Sequence, residues 1–294
     1  MGKTREIKKR IKAVGNIRRI TNTMRMIATS KFSRAQQRAT ASKPFTEGVF
    51  ELVKQIGEAA GEGASHPLLS GPMAGTASGA KELTLIITSD RGLCGPYNGS
   101  ILRIAMANLR NNPAAKGGEI DVVGRKGVGF FKFSNTPVAN HHSFGDKPEY
   151  DTIAGLAQRY MDRFIAGEIS KVTVIYMKFI SAGRQKPEVM QLLPLRPPES
   201  AAPVEKKPSV EYEFSPPAEI LLANLLPAAV KATLFQAFSD AIVSEHVARM
   251  VAMKAATDNA GKMGKALTRK FNRARQAQIT TELTEIISGA AALG

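Results

Sequence analysis

The spacing of apolar positions separates two long helical segments at the chain ends from a middle of alternating strands and helices. Near the N-terminus Ile7, Ile11, Val14, Ile17, Thr21, Met24 and Ala28 recur at intervals of three and four, the seam of a coiled coil. Ile20 and Ile27 widen this face, while Arg5, Lys8, Lys9, Lys12, Arg18, Arg19 and Arg25 fall mostly outside it. Pro44 is expected to end or kink the helix, with a second helical stretch running to about Ala60. Residues 61–80, rich in Gly, Ser and Pro, read as a flexible linker.

In the middle, a β-rich run (Leu83–Ser89) leads through a glycine-containing loop to a helix over Asn98–Asn111. A short strand (Ile120–Val123), a short helix (Lys126–Phe133) and an amphipathic helix (Asp151–Ala166) follow. Lys171–Phe179 is the clearest strand, Val189–Leu195 an edge strand, and Val210–Phe214 a last one beyond a Pro-rich connector. Strands alternating with helices predict a small, mostly parallel, Rossmann-like α/β sheet.

Past Pro216 and Pro217, Pro227 suits the first position of a helix from Ala228 to about Ile287, sixty residues or about 90 Å long. Its apolar positions are small: Ala237, Ala241, Ala248, Ala252, Ala255, Ala256 and Ala260, then Gly261 and Gly264. Close packing on a second helix is expected to offset the ~1 kcal/mol that each glycine costs. If both terminal helices leave the middle on one side, they run antiparallel. The longer second helix then ends in a lone tip beginning at Ile286 and Ile287, whose apolar surface calls for a socket. The expected fold is α/β, a long antiparallel coiled coil of N- and C-terminal helices plus a small Rossmann-like α/β domain. Its divisions are 1–60 (helix), 61–80 (linker), 81–215 (α/β domain) and 216–294 (long helix).

Charge follows the same division. Residues 1–43 hold thirteen Lys/Arg against one acid, residues 245–278 eight against two, and the whole chain is +16. Such an excess implies an acidic partner, whether nucleic acid, anionic membrane surface or acidic protein. Cys94 is the single cysteine, which excludes an internal disulfide and an all-cysteine metal site. No apolar run reads as long enough to cross a bilayer, and the chain reads as soluble and intracellular.

Candidate chemistry is thin. Ser89–Gly95 (SDRGLCG) follows a strand and precedes a helix, where α/β folds bind phosphate. It lacks the Gly-Lys-Ser/Thr of a P-loop, so a tight strand-to-helix turn is the better reading. Gly124, Gly127 and Gly129 have the dinucleotide spacing reversed, with no acid placed for a ribose. Cys94 lacks a recognisable base. His141 and His142 would face opposite sides of a strand, which argues against a metal. No catalytic residue, cofactor or metal is expected. The basic arms allow a nucleic-acid-binding coiled coil as the alternative, although aromatic interleaving and groove-reading patterns are missing.

Four blocks resemble the gamma subunits of F-type ATP synthases: Ile7–Lys31, Ser89–Gly95, Met250–Gly261 and Asn272–Ala290. The similarity covers nearly the whole chain. It implies a non-catalytic rotor, with the terminal helices inside a ring of alpha and beta subunits and the α/β domain against epsilon and the c-ring. Proton flow would turn the rotor and drive ATP synthesis. The resemblance also implies a peripheral location on the cytoplasmic side of a bacterial inner (plasma) membrane, without insertion. By the same resemblance Arg275, Gln276 and Thr280 match positions touching the catalytic ring. Met24 matches one near an acidic beta loop, with Arg18, Arg19 and Arg25 as basic flanks and Ile286 and Ile287 in the socketed tip.

Overall fold

The computed structural model describes residues 2–60, 66–70, 81–195 and 217–293. Seven helices and five strands occur among them: α1 (Gly2–Ala60), α2 (Pro67–Ser70), β1 (Lys81–Ile87), α3 (Tyr97–Asn111), α4 (Pro113–Lys116), β2 (Glu119–Val123), α5 (Arg125–Phe133), β3 (Asn140–His142), α6 (Tyr150–Ile165), β4 (Ile169–Ser181), β5 (Arg184–Leu193) and α7 (Ala218–Leu293). The chain divides into two compact units, Met1–Ser30 with Arg249–Gly294, and Lys31–Ala248.

The larger unit is built on one sheet in the order β3-β2-β1-β4-β5. The first four strands are parallel and β5 returns antiparallel beside β4. Strand alternation sends Leu83, Leu85, Ile87, Val172, Val174 and Tyr176 to one face. There they pack on Leu156, Tyr160 and Phe164 of α6 and on Leu222, Leu226, Val230, Leu234 and Phe238 of α7. Ile86, Ile175 and Met177 face the other way, onto Ile101, Leu102 and Ala105 of α3 and Phe131 of α5. The result is helices on both faces of a mostly parallel sheet, as the alternation predicts.

Several expectations within this unit are corrected. The edge strand begins at Arg184, five residues before the sequence signal, because pairing with β4 continues to Ser181↔Arg184. The short β3 at Asn140–His142 carries no hydrophobic alternation. It is fixed by polar contacts, Asn140 Nδ2 donating to Asp121 Oδ1 at 2.9 Å and His142 Nε2 lying 3.4 Å from Oδ2. Tyr160 donates to the same carboxylate at 2.7 Å. Burial pushes the Asp121 pKa up, but the hydrogen bonds from His142, Tyr160 and Asn140 outweigh it and hold the group below its ordinary value. Its contribution to stability is therefore present above the ordinary carboxylate pKa and lost as pH falls through the lowered one. Within the expected linker, α2 seats Leu68 in the core at 1% exposure, and the Leu68 carbonyl accepts the Leu195 N–H at 2.7 Å. The strand expected at Val210–Phe214 lies outside the described residues.

α1 does not end at Pro44, and Pro227, expected at the first position of a helix, lies inside α7, which begins at Ala218. An interior proline costs ~3 kcal/mol or more, partly through the carbonyl four residues earlier. In each helix that earlier residue, Thr40 or Ala223, is exposed, so its carbonyl can be hydrated. Burial of Ala35, Ala39 and Val49 around the first proline, and of Leu226, Ala229 and Val230 around the second, offsets the rest. Within Ile220–Ala291, α7 also carries a stretch of mean hydropathy 1.5, long and apolar enough by length and composition to cross a membrane. That corrects the expectation that no such run exists. The leucines that begin α7 are packed against the sheet, where a core helix is apolar for a different reason.

In the smaller unit, the ends of α1 and α7 pair antiparallel. Thr4 Oγ1 donates to Gln278 Oε1 at 3.1 Å and Thr257 Oγ1 to Thr21 Oγ1 at 2.8 Å. The buried or half-buried row on α1 is Thr4, Ile7, Ile11, Val14, Thr21, Arg25 and Ala28, with Arg18 on the same row and exposed. On α7 it is Met253, Thr257, Ala260, Gly264, Leu267, Phe271, Ala274 and Gln278. Both rows keep strict three-four spacing. The expected seam holds at Ile7, Ile11, Val14, Thr21 and Ala28 and fails at Ile17 and Met24, each displaced by one position. Ile17 is 52% and Met24 36% exposed, while Arg18 and Arg25 take the inner row.

Close packing at Gly261 and Gly264 is also corrected. A methyl at Gly261 would lie 3.6 Å from Arg18 Nε, and one at Gly264 3.9 Å from Val14 Cγ1, both ordinary contact distances. Sterics do not demand glycine at either place. Gly261→Ala and Gly264→Ala should therefore each raise stability by ~1 kcal/mol, read as a higher urea midpoint of the full chain. A lowered midpoint would show that the helices need the space.

Candidate functional site

In open α/β sheets the ligand crevice lies at the carboxyl ends of the strands, where strand order reverses. Here the chain moves from β1 outward to β2 and β3, then crosses to β4 on the other side of β1. The Ser89–Gly95 loop leaves β1 at this point. The crevice is filled from within the protein, with the Tyr97 hydroxyl donating to the Ala241 carbonyl of α7 at 3.1 Å. A cavity of about 30 Å³ remains, lined by residues that include Asp90, Gly124, Asp146, Phe238 and Glu245. It has room for a water or two and none for a nucleotide.

The position a phosphate would take is held by Asp90. The backbone N–H of Arg125, first residue of α5, donates to Asp90 Oδ1 at 3.1 Å, and Ser143 Oγ donates to Oδ2 at 3.2 Å. Lys126 N–H donates to the Ser89 carbonyl at 3.1 Å, and Gly127 N–H to Thr88 Oγ1 at 2.9 Å. The amides of this first turn, which attract anions, are thus met by the chain itself. The two glycines here serve close approach. A Cβ at Gly124 (φ +89°) would fall 2.3 Å from the Thr88 carbonyl oxygen, and one at Gly127 2.6 Å from Val122 Cγ1. Cys94 is buried and receives a hydrogen bond from Asn98 Nδ2 at 3.3 Å, as part of the turn. Among the described residues no group of three or more His, Cys, Asp or Glu side chains could hold a metal.

The residues expected to meet partners lie in the smaller unit, in two groups. On α1, Arg18 and Arg19 are exposed, Met24 is partly so, and Arg25 is half-buried and bonded to Asn22 Oδ1 at 3.0 Å. On α7, Arg275, Gln276 and Thr280 are exposed, the Thr280 hydroxyl donating to the Gln276 carbonyl at 3.0 Å. Ile286 and Ile287 are 71% and 59% exposed. From Ile279 to Ala291 every residue of α7 is exposed, beyond the Thr4–Gln278 contact.

Sequence reasoning assigned Ile17, Ile20 and Ile27 to the apolar face between the helices. They form an outward row with Met24 instead, at spacings of three and four. The signal was available: a strict heptad counted from Thr4 selects Arg18 and Arg25, and leaves these four on an adjoining stripe. Ile279 and Leu283 extend the apolar face of the tip. A groove of about 1040 Å³ runs between the paired helices where Gly15, Gly261 and Gly264 carry no side chain, and Arg18, Lys262, Lys265 and Arg269 border it.

A Rossmann-like sheet whose ligand crevice is closed by its own side chains, together with a long antiparallel helix pair exposing apolar rows, defines a protein that works through partner surfaces. The ATP synthase family model matches residues 3–293. The chain is 40% identical to the ATP synthase gamma chain of Rhodopirellula baltica, over 100% of this chain and 99% of that one. It is 38% identical to the gamma chain of Desulforamulus reducens, covering both completely. In fold it matches a chain of the Euglena gracilis mitochondrial ATP synthase, in the OSCP/F1/c-ring structure in rotational state 3. There the TM-score is 0.69 at 17% identity, over 99% of this chain and 95% of that one. It also matches a chain of the Tetrahymena thermophila mitochondrial ATP synthase central stalk and c-ring, with a TM-score of 0.58 at 22% identity, over 81% and 99%. The chain belongs to the ATP synthase gamma chain family. The nucleic-acid alternative finds no support among these relatives.

Replacing Asp90 by Ala should cost about 1–2 kcal/mol of stability by uncapping α5, measured by thermal unfolding. A melting temperature equal to that of the parent would show that the carboxylate is not the cap.

Proposed function

We propose that this chain is the central-stalk rotor subunit of a bacterial F-type ATP synthase, coupling proton translocation through a c-ring to ATP synthesis or hydrolysis in an alpha/beta catalytic ring and regulating that ATPase activity. It supplies no catalytic residue, and works on the cytoplasmic side of the plasma membrane as a peripheral component. The carrying observation is the full-length similarity to gamma chains, joined to an antiparallel helix pair whose outer surface is apolar and basic. Alpha and beta subunits would enclose the helix pair, and epsilon and the c-ring would meet the α/β unit.

The physics of the exposed rows supports this reading. Four large apolar side chains at the tip, Ile279, Leu283, Ile286 and Ile287, would each gain about 1.5–3 kcal/mol on full burial, which a sleeve provides and water does not. The flank bearing Ile17, Ile20, Met24 and Ile27 differs chemically from the groove bordered by Arg18, Lys262, Lys265 and Arg269. Turning such a pair presents different chemistry to successive ring subunits. An acidic beta loop would meet Arg18, Arg19 and Arg25 through exposed ion pairs worth about 0–1 kcal/mol each, weak enough to be released at every step. Arg275, Gln276 and Thr280 would touch the ring nearer the tip.

Reconstitution with alpha, beta, epsilon and the membrane sector tests this. Arg275→Glu should lower coupled ATP synthesis several-fold, and removal of residues 275–294 should impair assembly or synthesis more severely. Unchanged assembly and synthesis in both variants would refute the rotor role.

A further inference from the structure

The loop between β3 and α6, residues 143–149, reaches both terminal helices within the larger unit. Lys31 Nζ of α1 donates to Asp146 Oδ2, in an ion pair whose side chains are 37% and 44% exposed. Phe144 meets Phe238 of α7 edge-on, with ring centres 5.3 Å apart. Tyr150, where α6 starts, meets Phe235 of α7 in the same way at 5.4 Å. Asp146 also lies within reach of the charges of His246 on α7 and Arg91 in the loop after β1. One short loop thus bridges α1 and α7.

The sheet backs this loop. His142, the last residue of β3, stacks on Phe144 with ring centres 5.8 Å apart, and its Nε2 lies 3.4 Å from the buried Asp121 of β2. Ser143 Oγ donates to Asp90, the residue that caps α5. Lys31 is the first residue of the larger unit, and His246 lies two before its last, Ala248. The loop therefore meets each helix close to where that helix leaves the unit. Beside Lys31, Phe32 packs on Phe179 of β4 at 6.1 Å. Neighbouring residues on a helix point about 100° apart around its axis. A helix held from one direction can roll, whereas one held from two such directions keeps its rotational setting.

We propose that the 143–149 loop is a collar that sets the rotation of α1 about its own axis where it leaves the α/β unit, with Lys31–Asp146 as the positioning contact through which torque passes. This rests on the rotor reading above. Phe144 and Tyr150 hold the collar to α7, and aromatic pairs of this edge-on kind are directional. An exposed ion pair adds little to stability. Loss of this one therefore changes the transmission of torque far more than it changes folding.

The test uses the full chain reconstituted with alpha, beta, epsilon and the membrane sector in vesicles, and reads protons pumped per ATP hydrolysed. A parent complex that fails to assemble or pump refutes the rotor reading itself. With a pumping parent, Lys31→Met and Asp146→Ala should each lower the protons moved per ATP several-fold, while ATP hydrolysis and the melting temperature of the free chain stay at the parent's values. The double variant should be no worse than the worse single, as for two halves of one contact. Three results overturn the collar and leave the rotor reading standing: a ratio equal to the parent's in both single variants, losses that multiply in the double, or losses matched by a fall in melting temperature.

Discussion

Much of the smaller unit depends on the heptad register between the two helix ends. An antiparallel pair is fixed by which residues oppose each other, and here Thr4 stands opposite Gln278 and Thr21 opposite Thr257. That register decides how much of α7 the described part of α1 covers. It also puts Arg18 and Arg25, rather than Ile17 and Met24, on the inner row. Turning α1 by one residue would bring Ile17, Ile20, Met24 and Ile27 inward only by exposing Ile7, Ile11, Val14 and Ala28 and carrying Glu6 and Arg10 toward the seam. The observed register keeps one apolar stripe of α1 in the seam and leaves a second outside, where a partner surface would cover it.

The glycines show the same balance at finer grain. Gly15, Gly261 and Gly264 leave an open groove where alanines would fit, so the pair is thinner than its helices require. Backbone and short side chains face one another there, and the long basic side chains stand at the rim. A thinly packed pair has fewer dispersion contacts to hold it, yet it keeps a slender cross-section that a bulkier core would thicken. In the larger unit the opposite holds. The sheet is covered on both faces, and its ligand crevice is closed by Tyr97 and α7, while Asp90, Ser89 and Thr88 accept the first three amides of α5.

Much of this was legible in the residues. Leu83–Ser89 and Lys171–Phe179 read as strands because β-branched and apolar residues run nearly continuously there, as in strands buried on both faces. The first lies two residues earlier at both ends, Lys81–Ile87, and the second is two residues longer at each end, Ile169–Ser181. The tight-turn reading of Ser89–Gly95 was available from the missing P-loop lysine, but Asp90 as a helix cap was not, since its partner amide lies 35 residues away. β3 escaped because three residues held by Asp121 carry no period. Pro44 as a helix end and Pro227 as a helix start misled for a related reason. A local rule prices the lost hydrogen bond, while the compensating burial belongs to tertiary packing that no window of sequence displays.

The seam error is the more instructive one. Counting apolar residues treats a heptad as a search for hydrophobes, whereas the pair also uses Thr4 and Thr257 as inner positions, with Thr21 as expected, and leaves Ile17, Ile20 and Ile27 outside. In an ordinary coiled coil that arrangement would be self-defeating, because burying isoleucine gains more than burying threonine. It makes sense where the free pair is not the final state and the outer row has its own partner to bury it. Exposed apolar residues off a strict heptad are then the mark of a helix pair shaped by the surface around it as much as by the contact within it. The same argument accounts for the tip, where thirteen consecutive exposed residues, Ile279 to Ala291, retain helical bonding without any neighbour among the described residues. An isolated segment of that length is marginal in water; continuity with the paired part of α7 supplies its nucleus, and a surrounding apolar wall would supply the rest.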